Sequence, residues 1–101
     1  MSDSNQLLRN RINFTINNML NDKLMRELQT YFKELKPLVK NQEDALLGFV
    51  FGYMSADATA FLGVSHIAIT DEKTNIIMDV FIKRILDVKK VFYKNLEKNK
   101  G

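Results

Sequence analysis

Cysteine and tryptophan are missing from this chain, proline occurs once (Pro37), histidine once (His66) and glycine only four times. Without cysteine there are no disulfides, no thiolate metal sites and no thiol catalysis, and a reducing compartment is the simpler expectation. A single histidine, outside any Glu-x-x-His or His-x-x-x-His pair, removes the common metal-site patterns. No glycine cluster precedes a Lys-Ser/Thr pair and no G-x-G-x-x-G occurs, so the phosphate-cradling loops are missing too. Nucleophile elbows and serine triads cannot be assembled from this inventory. The expectation is a protein that is not an enzyme, with no cofactor and no metal. The scarcity of glycine and proline also excludes the many turns of a sandwich or barrel and leaves helices uninterrupted.

What is present fits one domain spanning residues 1–101. Apolar residues make up 46% and charged residues 27%, too apolar for a disordered chain. A chain this short hides only part of its apolar surface, which makes oligomerisation a natural way to finish the fold. Residues 1–10 are polar and contain no apolar segment of the kind a secretory signal needs, so a cytoplasmic location is expected. In that setting the Asn13-Phe14-Thr15 sequon is a chance match. The net charge is +3, but residues 83–100 hold seven bases against Asp87 and Glu97, so the rest of the chain is slightly acidic.

Hydrophobic spacing gives an all-α reading, a bundle of three or four helices. Asp3 with Gln6 resembles a capping box, followed by Leu8, Ile12, Ile16 and Leu20 at helical spacing. Asn21-Asp22 either ends this helix and caps a second one or lies inside one continuous helix; Pro37 stops the region at Lys36. Asn41 with Asp44 starts the central helix, about 43–63, with Gly63 as a plausible C-cap. Residues 64–70 read as a short extended connector or as more helix. Thr70 or Asp71 caps a last helix running to roughly Lys98, with Met78, Phe81, Ile85, Val88 and Phe92 as a 3-4-3-4 seam widened by Ile82, Leu86 and Tyr93.

The central helix is the most informative segment. Between Ala45 and Ile69 the only ionisable carboxylate or imidazole groups are Asp57 and His66. Gly48, Gly52, Ala56 and Thr59 fall on one side of the helix, with Gly48-Phe-Val-Phe-Gly52 forming a G-x-x-x-G. Leu46, Leu47, Val50, Phe51, Met54, Phe61 and Leu62 fall on the other. Small side chains at this spacing let another backbone approach closely. A short chain has helices enough to cover the bulky side but not both, so the small side is expected to meet its own copy in a homodimer, through Gly48, Gly52, Ala56 and Thr59; the alternative is that it accepts the first helix of the same chain. A membrane span over 45–64 is the weaker reading, because Asp57 lies near its middle.

The functional expectation is a non-catalytic interaction, regulatory or structural module acting by homo-oligomerisation, with a protein partner that the sequence does not name. Nucleic-acid binding by a dimer is the runner-up, with Lys83, Lys90 and Lys94 on one face of the last helix as candidate phosphate contacts. Asp57 and His66 are the candidate buried polar site. For Asp57 the choice lies between a carboxyl of raised pKa and a partner of Arg9, Arg11 or Arg26 on a neighbouring helix.

Overall fold

A computed structural model describes residues 3–98, and these residues form four α-helices and no strand: α1 (Ser4–Met19), α2 (Asp22–Glu34), α3 (Gln42–Val64) and α4 (Asp71–Lys98). A polar side chain sets each start by accepting a first-turn N–H. Asp3 accepts from the Asn5 N–H at 2.9 Å, Asn21 from Leu24 at 2.7 Å, Asn41 from Asp44 at 3.0 Å, and Thr70 from Lys73 at 3.2 Å. The expected capping box does not form: Asp3 caps the helix through the Asn5 N–H and not that of Gln6, and the Gln6 amide donates to Asn10 rather than reaching back. Asn21 is extended, at φ −130° and ψ 145°, so the first helical region is two helices and not one.

The end of α3 lies slightly beyond the glycine the sequence suggested. Ser65 is the C-cap and His66 takes the left-handed position after it, at φ 57°. The His66 N–H donates to the Gly63 carbonyl at 3.1 Å and the Ile67 N–H to the Leu62 carbonyl at 2.8 Å. These are the two bonds of a Schellman cap, and Ile67 packs on the core beside them. Residues 65–70 then form a connector, so the helix does not continue.

Helices α1, α3 and α4 make a three-helix bundle. Arg11 and Thr15 meet Asp57 while Met19 approaches Phe49 and Tyr53, so α1 and α3 are antiparallel. Glu43 pairs with Lys89 at 2.6 Å and the Phe51 and Phe81 rings meet edge-on at 5.1 Å, so α3 and α4 are antiparallel as well. Helix α2 passes across the far end of α4, with Asp22 and Arg26 at Asn95 and with Gln29 and Phe32 at Phe92. The protein is elongated, 52 × 24 × 20 Å.

The core joins Leu8, Ile12 and Ile16 of α1, Met25 and Leu28 of α2, Leu46, Val50, Met54 and Leu62 of α3, and Ile76, Ile77, Val80, Val88 and Phe92 of α4. The seam expected for α4 is therefore corrected along its first half. Ile76, Ile77 and Val80 are buried there; Met78 is exposed, and Phe81 and Ile85 are half-buried. Ile82, Leu86 and Tyr93 do not widen the buried stripe: Ile82 and Leu86 face away from it, and Tyr93 is exposed while its hydroxyl reaches Glu43 of α3. Two causes act together. A 3.5-residue repeat drifts around a helix of 3.6 residues per turn, and α4 exchanges α1 for α2 along its length while α3 stays beside it.

Candidate interaction site

One side of α3 is built to be covered from within and the other is not. Leu46, Val50, Met54, Ala58 and Leu62, four residues apart, are all completely buried against the bundle. Gly48, Gly52, Ala56 and Thr59 occupy the opposite side, and all four are exposed. A Cβ placed on Gly48, Gly52 or Gly63 would meet nothing within 4 Å. Helix α1 does not fill this side; it lies along the other flank of α3. Phe49 and Tyr53, stacked with ring centroids 6.3 Å apart, border the small-residue face.

The flank toward α1 is held by a charged clamp. The Arg11 guanidinium donates from Nε and Nη2 to the two Asp57 oxygens, both at 2.8 Å, and the Thr15 hydroxyl donates to Oδ2 at 2.7 Å. Arg11 also lies over the Phe14 ring, 5.5 Å from its centroid. These bonds, chiefly those from Arg11, hold the Asp57 carboxyl below its ordinary range, against the smaller opposing effect of burial. The shift is downward, opposite to that of a proton-handling acid. Beside the clamp a cleft of about 230 Å³ is lined by Phe14, Met19, Leu24, Phe49 and Tyr53.

His66 is exposed and does not join Asp57 in a buried site; its place follows from the turn it makes. Lys83, Lys90 and Lys94 share one exposed face of α4, as the spacing implied. That face is partly neutralised: Lys83 pairs with Asp79 at 3.1 Å and Lys94 lies 4.0 Å from Asp22. Next to it, Lys89 pairs with Glu43, whose carboxyl is held low by Lys89 and by the Tyr93 hydroxyl. Lys100 lies outside the described residues, as does the side chain of Lys98. No group of three His, Asp or Glu residues among the described residues is placed to hold a metal ion.

Sequence reasoning missed four buried polar residues among the described ones, Thr15 of the clamp and three more. The Gln29 amide donates to the Phe92 carbonyl at 2.9 Å. Asn95 donates to Asp22 and to the Val91 carbonyl, both at 2.9 Å. The Lys73 ammonium donates to the Ser4 hydroxyl at 2.6 Å and to Asn5. A signal existed for Gln29, which sits on the same four-residue row as Met25. By length and composition α3 is also apolar enough to cross a membrane, a property it shares with core helices of soluble bundles.

The chain matches no family model, no curated protein and no solved structure.

Proposed function

We propose that this protein is a non-catalytic helical assembly module that works by associating with itself through the outer face of α3. The observation that carries this reading is the open small-residue side of an otherwise apolar helix, where Gly48, Gly52 and Gly63 have empty space before them. An apolar helix face left in water forgoes about 25 cal/mol for every Å² it would bury against a partner. Glycine and alanine there let a second backbone come close enough for dispersion contacts along the whole helix. A two-fold interface supplies that partner from the same chain, with each copy offering the same patch.

The experiment is light scattering on a detergent-free size-exclusion column. The expected mass is about twice 11.7 kDa. Gly52→Leu places a large side chain on the contact surface and is expected to return the protein to a monomer. Because a Cβ at Gly52 meets nothing within the chain, the variant keeps its fold and its helical circular dichroism. A monomeric parent protein, or an oligomer indifferent to Gly52→Leu, overturns the reading.

A further inference from the structure

We infer that the turn between α2 and α3 docks the protein on the surface of an anionic phospholipid bilayer, with Leu38 entering the interface and Lys33, Lys36 and Lys40 binding lipid phosphates. The contact is peripheral, spans nothing, and does not depend on self-association.

The turn is built to hold an apolar side chain outward. Leu38 is 81% exposed although the chain is anchored on both sides of it. Phe32 is buried and Val39 packs on the core. The Leu38 and Val39 N–H groups both donate to the Leu35 carbonyl, at 2.7 and 2.8 Å, which closes the turn. Tyr31 and Leu35 are exposed as well, at helical spacing from Leu38, so three apolar side chains share one side of the segment.

The charges beside them are of one sign and unsatisfied. Lys33, Lys36 and Lys40 line a hollow of about 510 Å³ together with Phe32, Val39 and Gln42. None of the three lysines is in an ion pair among the described residues. Glu34, the only acid between Tyr31 and Gln42, does not line the hollow. The Gln42 Oε1 atom is buried without a hydrogen-bond partner. The hollow therefore suits an anion, and leaves an acceptor for a hydroxyl or ammonium on the same ligand. The headgroups of phosphatidylglycerol and phosphatidylserine carry both.

The combination selects a bilayer among polyanions. A nucleic acid would pair with the lysines and leave Leu35 and Leu38 in water. A bilayer uses both sets: the leucines pass below the phosphates while the lysine ammonium groups stay level with them. A side chain projecting from a turn also enters lipid without needing a shaped pocket in its partner.

Co-sedimentation of the full-length protein with vesicles tests the contact. Binding is expected to phosphatidylcholine vesicles containing about a third phosphatidylglycerol, and not to phosphatidylcholine alone. Each lysine near an anionic surface strengthens attachment by about fivefold. The combined Lys33→Glu, Lys36→Glu and Lys40→Glu protein should thus bind on the order of a hundredfold more weakly. Leu38→Ser should bind about tenfold more weakly. All four positions are exposed, so helical circular dichroism should stay unchanged. A charge-matched protein with Lys83→Glu, Lys90→Glu and Lys94→Glu should lose far less. Equal losses in the two triple variants would mean that net charge alone is attracted, and overturn the site. A Leu38→Ser protein that binds like the parent overturns the insertion, and competition by inorganic phosphate would then identify a soluble phosphate ligand. Duplex DNA bound more tightly than the vesicles overturns the inference in favour of nucleic acid. No sedimentation with the anionic vesicles removes it outright.

Discussion

At the scale of single residues, two positions carry energies that their type alone does not suggest. His66 holds the left-handed conformation that only glycine adopts without steric cost. His66→Gly is expected to stabilise the fold by about 1 kcal/mol, read as a higher urea midpoint with an unchanged slope. Asp57 behaves differently because its contribution depends on pH. Its carboxyl is held lower in the folded chain than in the unfolded one, chiefly by Arg11. The stabilisation is therefore complete above the ordinary carboxylate value near 4 and is lost as the pH falls through the lower folded value. Asp57→Asn should be less stable than the parent at pH 7, and the difference should shrink between pH 5 and pH 2. Asp79 and Glu43 shift in the same direction, so only the comparison of the two proteins isolates Asp57. Urea midpoints measured across that range would decide it; a gap that stays constant counts against the clamp.

At the scale of elements, the capping residues were the most legible features, because a cap depends on a few adjacent residues. Asn21 is the sharpest case, turning one candidate helix into two by accepting the Leu24 N–H. Asn21→Ala should cost about 1 kcal/mol and appear as a lower melting temperature. The buried side of α4 was less legible. Its apolar residues surround more of the helix than one neighbour can cover, and α1 gives way to α2 along its length while α3 stays alongside. Two substitutions separate the faces: Leu86, 73% exposed, should accept lysine within about 0.5 kcal/mol. Phe92→Ala should cost about 3–5 kcal/mol. Similar losses at both positions would show that the outer row of α4 is covered.

At the scale of the whole molecule, four helices do not cover the apolar surface they carry. Helices α1 and α2 follow one another along the bundle, α1 meeting α3 at Asp57 and α2 meeting it near Phe49 through Leu24, so neither lies over the outer side of α3. The result is a long, open bundle with Gly48, Gly52, Ala56 and Thr59 on its outside. The basic face of α4 is less free than its count of lysines implied, since Asp79 and Asp22 lie within reach of Lys83 and Lys94.

Composition and periodicity by themselves determined the helical class, the order of the helices, most of their caps, and the division of α3 into a small side and a bulky side. All of these depend on residues within a turn or two of one another, where backbone sterics and 3.6-residue spacing act directly. Only the tertiary structure decided that Asp57 pairs with Arg11 rather than with Arg9 or Arg26. The same holds for the burial of Gln29 and Asn95 between α2 and α4 and for the outward turn of Ile82 and Leu86. Each of these depends on which helix lies opposite. That choice balances the burial of every apolar stripe at once, and no local run of sequence contains it.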